Sequence, residues 1–600
     1  MPKIIIINID NYNKDIKVKE DDIIILLNHN SYNIKYKKNL IDINKLILKK
    51  DYFKIIKENE KILKKNFIFK KNKNSENYNS TLKNFINFNL YYFVNFYLYS
   101  NLLVEKLIKK YKINKIEYHC YYKENESVFS KIFKNILNEK TLKYKKILKI
   151  INYNVKINNN KNILEYFYNL YNFFKNIIFK CKNYILVNTS SYRMIDFLKE
   201  YNLVKYKCFF LEGSKNIKIN NIFSNKIFFQ DIFNYKRIEK NKFHINSIIN
   251  TKIFKKNSST IFNSINIFIT KYLSLNINNL LIELKNLEIN LNKKKPKFIF
   301  SNNSLGIGYF LGEYAYKNNI NNMIISHGTH VNSNNRLISL GWENSSKYLI
   351  GPIFNKIAVQ SPLMESFLKK NNYDKNKFVF TGPVAFESYK KSLKTEYKQK
   401  KLEILKKFKI KKNKIILLHA STPKHIENLR PITFETIDEY IYHLKSLINL
   451  IKNDNDIHLI IKFRPMKNLS YETFKKFLNF KNKNVSISLD DELKDLLFTS
   501  KALISYSSTI IEEMLNFKKP LILMDLFNRY CHIDEKGNKK RSNFKYQPFA
   551  YCNTLKKLRI SIDEIAKLNL KSYKYNGFWK DYIYDDKECN SFKKYLNKIL

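Results

Sequence analysis

Glycine, proline and tryptophan are scarce in this sequence, with ten, ten and two copies among 600 residues. The two common glycine-rich phosphate loops are both missing. The Walker A pattern is absent, and Gly306 with Gly308 forms only a G-x-G because Leu311 occupies the position of the third glycine of the dinucleotide pattern. These absences argue against a P-loop and against NAD binding.

Cysteines are also few, and none of them forms a C-x-x-C pair, which excludes a zinc ribbon and a disulfide framework. The six are Cys120, Cys181, Cys208, Cys531, Cys552 and Cys589. His327 and His330 have no carboxylate or cysteine at a useful spacing, so we predict no metal site there. The N-terminal apolar run is too short for a signal peptide. Together these features predict a reduced, cytoplasmic location.

No apolar run is long enough to cross a membrane. The longest apolar and aromatic segment, Leu82–Tyr111, is interrupted by asparagine and lysine and predicts a buried helix. With 44% apolar and 15% aromatic residues, the chain has the composition of a folded protein.

Acidic residues are outnumbered, because 109 lysines and arginines face 52 acids and give a net charge of +57. Such a charge is typical of proteins that bind nucleic acid or an anionic membrane. The lysines are spread along the whole chain, however, and zinc-finger, RNA-recognition and homeodomain patterns are absent. We therefore predict no nucleic acid partner, and the charge favours anionic lipid headgroups or phosphorylated substrates.

The order of apolar runs, polar turns and helical periodicity predicts an α/β fold with Rossmann-like parallel sheets. A highly charged helical segment, 389–412, marks a domain boundary. We predict an N-terminal α/β domain with helical insertions over 1–390 and a second Rossmann-like domain over 400–560. A helical tail over 561–600 is expected to pack back across the first domain.

One stretch, Lys501–Asp525, reads as strand, turn, helix and strand. Ser507, Ser508 and Thr509 form the turn, and their hydroxyls are suited to capping the following helix. The free N–H groups and the dipole at a helix N-terminus attract anions such as phosphate. The stretch therefore predicts a phosphate-binding turn, although any well-capped βαβ unit has the same pattern.

Glu512 and Glu513 fall in the first turn of that helix. There they favour the helix dipole, and one of them can instead accept hydrogen bonds from sugar or ribose hydroxyls.

Other strand ends also carry polar residues, and ligands of such sheets bind outside the carboxyl ends of strands. Ser326–Thr329 contains His327, a candidate base or phosphate ligand, with Gly328 and Thr329 beside it. Arg464 in the sequence Lys-Phe-Arg-Pro suits a phosphate because its fork makes two parallel bonds.

A further loop, 420–431, carries Ser421 and Thr422 as candidate ligands. Each motif alone also fits an ordinary turn.

The ordered set of these motifs, which are HGT, AVQS, TGP, KFRP and SYSSTIIEEMLNFKKPLILMD over roughly 297–530, resembles GT-B glycosyltransferases. The resemblance is to the type that makes bacterial surface and capsule polysaccharides, with the related teichoic-acid glycerophosphotransferases. It implies two Rossmann-like domains facing a cleft, with the donor nucleotide on the C-terminal domain. Capsule proteins commonly have His-Pro where this chain has Arg464-Pro465, so the donor is not predicted.

The resemblance also implies residue roles. Ser507, Ser508 and Thr509 would bind the donor phosphate, and Glu512 or Glu513 would contact hydroxyls. His327 would lie across the cleft near the reacting centre, and we predict that it is the base that deprotonates the acceptor hydroxyl.

Glu212 and Glu313 are alternative bases for the same step.

We accordingly predict a metal-independent glycosyltransferase with no cofactor, since the nucleotide sugar is a substrate. Its partners would be the nucleotide-sugar donor, a glycan or lipid-linked acceptor, and an anionic membrane surface at the inner face of the cytoplasmic membrane. Two alternatives stay open: a CDP-linked polyol-phosphate transferase, and a non-catalytic carbohydrate or membrane-surface scaffold.

Overall fold

The computed structural model shows three parallel β-sheets among the residues that it describes, together with the helices that cover them. It describes residues 2–8, 18–26, 40–41, 46–66, 78–112, 114–121, 128–153, 184–189, 208–210, 227–228, 260–326, 331–333, 335–383, 397–423, 435, 437–464, 470–478, 482–506, 508–528, 533, 544–584 and 595–599.

The first sheet is formed by residues near the N-terminus. Its strands are β1 (Lys3–Asn8), β2 (Ile23–Leu26), β3 (Leu40–Ile41), β4 (Lys115–Tyr121) and β5 (Ile147–Tyr153). They lie in the order β3-β2-β1-β4-β5, and all neighbours are parallel. The run Ile4–Ile7 in β1 is almost completely buried, as a parallel strand covered on both faces requires. The accompanying helices are α1 (Lys49–Asn66), α2 (Asn79–Tyr111) and α3 (Val128–Lys143).

The second sheet contains seven strands. They are β6 (Ile185–Asn188), β7 (Cys208–Phe210), β8 (Ile227–Phe228), β9 (Phe298–Ser301), β10 (Asn321–Ile324), β11 (Lys356–Val359) and β12 (Phe378–Phe380). The order is β12-β11-β10-β9-β6-β7-β8. Its helices are α4 (Thr260–Ile267), which continues through the π-helical turn Phe268–Leu273 into α5 (Ser274–Lys293), then α6 (Ile307–Lys317), α7 (Arg336–Leu349) and α8 (Pro362–Lys370), with a 3₁₀ turn at Lys375–Lys377.

The third sheet has six strands. They are β13 (Ile415–Ala420), β14 (Ile457–Lys462), β15 (Val485–Ser488), β16 (Ala502–Ser505), β17 (Leu521–Met524) and β18 (Phe549–Cys552). The order is β15-β14-β13-β16-β17-β18. Its helices are α9 (Tyr397–Lys407), α10 (Ile437–Ile451), α11 (Tyr471–Leu478), α12 (Leu493–Thr499), α13 (Ile510–Asn516), α14 (Leu555–Lys567) and α15 (Leu570–Tyr573), with a 3₁₀ turn at Gly577–Asp581.

Helix α2 joins the first two sheets into one hydrophobic core. Its buried side chains, such as Leu82 and Leu103, belong to the same cluster as Ile4 of β1 and Leu311 of α6. A buried hydrogen bond between two side-chain amides holds α1 against α2, since Asn59 Nδ2 donates to Asn95 Oδ1 at 2.6 Å. No helix among the described residues is both long enough and apolar enough to span a membrane.

Beyond α15 the chain reaches back to the second sheet. The Tyr584 hydroxyl donates to Glu365 Oε2 of α8 at 2.8 Å, and its ring meets Phe380 of β12 edge-on.

The predicted fold class is confirmed, because the sheets are parallel and α/β in each half of the chain. The buried helix predicted at Leu82–Tyr111 is also confirmed as α2. The apolar runs 4–9, 23–27 and 115–118 predict strands, and they are confirmed as β1, β2 and β4 of the first sheet. The two edge strands of this sheet, β3 and β5, were not predicted. β3 is only two residues long, and Lys149 interrupts the apolar pattern of β5.

Three buried histidines on strands make the stability of the fold depend on pH. Burial lowers the pKa of His419 to about 3 and the pKa values of His119 and His458 to about 4, from an ordinary value of 6.5. Between those limits the unfolded chain binds protons that the folded chain does not, so the folded state loses stability as pH falls. We predict that the free energy of unfolding, from urea titrations at pH 7 and pH 5, falls by up to about 1.4 kcal/mol per pH unit for each histidine.

The matched variant is His458→Gln, because glutamine keeps a partner for Ser486 Oγ, which lies 2.9 Å from His458 Nε2. This variant should lose about one third of the pH dependence between pH 7 and pH 5. Equal free energies of unfolding at the two pH values in the wild type would contradict the burial of neutral histidines.

Candidate functional site

The third sheet has a point between β13 and β16 where the order of its strands reverses. The chain goes outward from β13 through β14 to β15, and then returns to β16 on the other side of β13. Such a reversal leaves a crevice outside the strand ends, which is where parallel α/β sheets bind ligands. Ser421 follows β13 directly, and Ser508 and Thr509 follow β16. The structure therefore brings these predicted residues to one edge of the sheet.

Glu435 connects two of these strand ends through a buried network. Its Oε2 accepts a hydrogen bond from Ser421 Oγ, and its Oε1 lies 2.8 Å from His443 Nδ1 on α10. The other ring nitrogen, His443 Nε2, accepts from the backbone N–H of Leu526 at 3.2 Å. Because Nε2 accepts, the proton of a neutral ring lies on Nδ1 and points at Glu435. The end of β13, helix α10 and the segment after β17 are thereby joined.

Further polar groups line the same edge. The His443 ring stacks on Tyr506 with a centroid distance of 6.1 Å. Asp525, which follows β17 and is fully buried, accepts a hydrogen bond from the Tyr551 hydroxyl at 2.8 Å. These contacts fix the backbone around the crevice, and a pre-organised edge lowers the entropy cost of ligand binding.

Sequence reasoning missed Glu435, His443 and Asp525. Glu435 and His443 are separated by eight residues on an amphipathic stretch, a spacing that ordinary surface helices also show. Asp525 ended the predicted strand, but no pattern in the sequence distinguished it from a turn residue.

A cavity lies between the second and third sheets. The segments around the second sheet contribute Val331, Gln360, Ser361, Leu363 and Pro383 to its lining. The segments around the third sheet contribute Glu512, Leu515, Asn516, Ile533 and Tyr582. Residues of three sequence motifs, at 359–361, 381–383 and 501–525, therefore share one space. The predicted arrangement of two Rossmann-like sheets facing a cleft is confirmed.

Gln360 also links the cavity to the segment that contains His327. Its Nε2 donates to the carbonyl of Ser326 at 2.8 Å, and Ser326 is buried. Ser361 next to it caps α8, since its Oγ accepts from Met364 N at 3.2 Å. The residue directly before His327 is thus held by a side chain that lines the cavity.

The start of α13 differs in detail from the prediction. Thr509 is the N-cap residue, but its side chain makes no capping hydrogen bond, and Ser508 Oγ accepts only a long 3.5 Å bond from Ile510 N. Glu512 is half-buried and lines the cavity, whereas Glu513 is only 2% exposed and faces the protein interior. Of the two glutamates, Glu512 is the one placed to meet a ligand in the cavity.

The remaining predicted residues lie further away. Arg464 follows β14, which is separated from β16 by β13, and its side chain is exposed. Thr422 is half-buried beside Ser421. Glu313 lies on α6, where Oε2 accepts from Thr81 Oγ1 of α2 at 2.7 Å, and it does not line the cavity. Burial raises the pKa of the Glu313 carboxyl.

Five predicted residues lie outside the described part of the chain and remain predictions. They are Glu212, His327, Gly328, Thr329 and Ser507.

The network around Glu435 generates a stability prediction. Glu435→Ala leaves the buried Nδ1–H of His443 and the Ser421 hydroxyl without their acceptor, and an unpaired buried polar group costs about 1–3 kcal/mol. We expect the free energy of unfolding to fall by roughly 2–5 kcal/mol in urea titrations. The control is Glu472→Ala on α11, where the side chain is exposed, and it should change stability by less than about 0.5 kcal/mol. Equal effects of the two substitutions would contradict the role of the network.

Comparison with known proteins gives structural matches only. No family model matches the sequence, and no curated protein matches it. A UDP-GlcNAc 2-epimerase from Neisseria meningitidis, bound to UDP-GlcNAc, matches with 13% identity over 69% of this chain and 98% of that chain, at a TM-score of 0.41. A putative UDP-N-acetylglucosamine 2-epimerase from Listeria monocytogenes has 10% identity over 69% of this chain and 95% of its own, at 0.41. The wall teichoic acid polymerase TagF has 12% identity over 80% of this chain and 97% of its own, at 0.39.

Proposed function

We propose that this chain is a glycosyltransferase that moves a sugar from a nucleotide-activated donor to a surface glycan or a lipid-linked acceptor. The observation that carries the proposal is the cavity that Glu512 shares with Gln360 and Ser361. It is formed by motif residues from two parallel sheets. A transferase of two substrates needs such a space, because donor and acceptor must be held side by side while water is excluded.

The donor is assigned to the third sheet. Its phosphates would lie at the turn Ser507–Thr509, where β16 ends beside the strand reversal, and Glu512 would accept hydrogen bonds from sugar or ribose hydroxyls. Ser421 donates to Glu435, so it would shape the turn after β13, and its neighbour Thr422 would contact the ligand. Arg464 is exposed at the next strand end and would neutralise phosphate charge.

The base is assigned to the second sheet. Inverting transfer requires removal of a proton from the acceptor hydroxyl as it attacks the sugar. His327 follows Ser326, which Gln360 holds beside the cavity, so we keep His327 as the catalytic residue. Glu313 is a weaker candidate because its carboxylate is bonded to Thr81, and Glu212 stays an untested alternative. A lipid-linked acceptor would place the enzyme at the inner face of the cytoplasmic membrane.

The donor assignment is tested by removing the turn hydroxyls. Ser507→Ala combined with Ser508→Ala should weaken donor binding about 10- to 100-fold, since hydrogen bonds to a charged group contribute roughly 1.5–3 kcal/mol. Calorimetric titration with UDP-, GDP-, CMP- and CDP-linked compounds gives the affinity and also identifies the nucleotide. The control is Ser572→Ala, which removes an exposed hydroxyl on α15.

Unchanged affinity in the double variant would remove the phosphate role from this turn. A preference for a CDP-linked polyol would favour the polyol-phosphate transferase, and no binding of any nucleotide would favour the non-catalytic scaffold.

The base assignment is tested by turnover. His327→Ala should lower kcat by about 10²–10⁴-fold while the donor Kd stays unchanged, because general base catalysis contributes that factor to the chemical step alone. A near-normal rate would make His327 a structural turn residue and return Glu212 and Glu313 to consideration.

A further inference from the structure

We propose that one edge of the first sheet docks on an anionic lipid bilayer. This edge, here termed the lysine edge, consists of 105–112 at the end of α2 and 140–149 between α3 and β5. The two segments are neighbours, because Ile147 N donates to Asn114 O at 2.8 Å and the Cα of Lys115 pairs with that of Ile147. The proposal does not depend on the function proposed above.

Two large aliphatic side chains are exposed to solvent at the lysine edge. Leu142 is 79% exposed and Ile147 is 66% exposed. The turn that carries them is held by backbone bonds, since Lys146 N donates to Thr141 O at 2.7 Å and Lys145 N donates to Leu142 O at 3.1 Å. The transfer of such exposed aliphatic groups from water into an apolar phase lowers the free energy.

Positive charge surrounds these two side chains. The two segments contain nine lysines and one acidic residue, Glu105. That carboxylate already accepts a hydrogen bond from Lys109 at 2.6 Å and lies 3.7 Å from Lys140 Nζ. Lys110, Lys143 and Lys145 are exposed, and they are suited to pairing with lipid phosphates.

Two tyrosines complete the pattern of an interfacial surface. Tyr111 and Tyr144 are half-buried, and the ammonium groups of Lys110 and Lys143 lie 5.3 Å and 5.9 Å from their respective ring centroids. Tyrosine and snorkelling lysine are both favoured at the level of lipid headgroups.

The positive charge and the exposed aliphatic groups together favour an anionic bilayer over a nucleic acid as the partner. A nucleic acid would satisfy the lysines, but its phosphate backbone offers no apolar phase to Leu142 and Ile147. A bilayer containing anionic lipid satisfies both sets of groups at once.

Co-sedimentation of the full chain with vesicles tests the proposal. The vesicles are pure phosphatidylcholine in one arm, and one part phosphatidylglycerol to two parts phosphatidylcholine in the other. One variant pair is Leu142→Ser with Ile147→Ser, and the other is Lys143→Gln with Lys145→Gln. The control pair, Lys398→Gln with Lys406→Gln, removes two exposed lysines from α9. Circular dichroism melts of every variant confirm that it is folded.

The expected result is binding to the anionic vesicles only, weakened about tenfold or more by each of the two variant pairs and little changed by the control pair. The proposal is overturned by an absence of binding to anionic vesicles, or by an equal loss in the control pair, which would show a diffuse charge effect. Unchanged binding in both lysine-edge pairs would overturn it as well. Binding of a DNA duplex, lost with the same lysine pair while vesicles do not bind, would replace the bilayer by a nucleic acid.

Discussion

The buried carboxylate of Glu435 holds together the edge of the third sheet at which its strands have their carboxyl ends. It accepts from Ser421 at the end of β13 and from His443 on α10, and His443 in turn accepts from the backbone N–H of Leu526 shortly after β17. Glu435 and His443 are each 1% exposed. A buried carboxylate is costly unless its oxygens are hydrogen-bonded, so this group constrains three elements to one geometry. The hydrogen bonds of Glu435 therefore help to determine the shape of the crevice next to β16.

Residues of two sheets line one cavity. The third sheet contributes Glu512 from the helix after β16, and the second contributes Gln360 and Ser361 from the end of β11. Because carboxyl ends of parallel strands share one edge, residues far apart in sequence converge there without any local motif. Helix α2 in turn packs the second sheet against the first in a common core.

Much of the fold was predictable because strands and helices leave local patterns. The strand, helix and strand predicted over 501–525 are observed as β16, α13 and β17. They were predictable because continuous apolar runs and helical spacing are properties of neighbouring residues. In the first sheet, β1, β2 and β4 were predictable from their apolar runs, whereas the edge strands were not, because β3 is only two residues long and β5 contains a lysine.

The site was predictable only in part, for the same physical reason. Turns with hydroxyls mark strand ends, so Ser421 and Ser508 could be named from the sequence, and Glu512 could be named as an acidic residue in the first turn of a helix. The pairing of Ser421 with Glu435, and of His443 with a backbone N–H after β17, depends on which strands become neighbours. That choice is a property of the assembled sheet, and no single stretch of sequence contains it.

The central claim is that a nucleotide-activated donor lies between the second and third sheets. Hydrogen–deuterium exchange with and without the best-binding nucleotide of the panel measures this directly. We expect slower exchange in peptides covering 357–363 and 505–516, one from each sheet, and no change in the first sheet at 115–121. Protection confined to one sheet, or to residues outside both peptides, would contradict a donor site in this cleft.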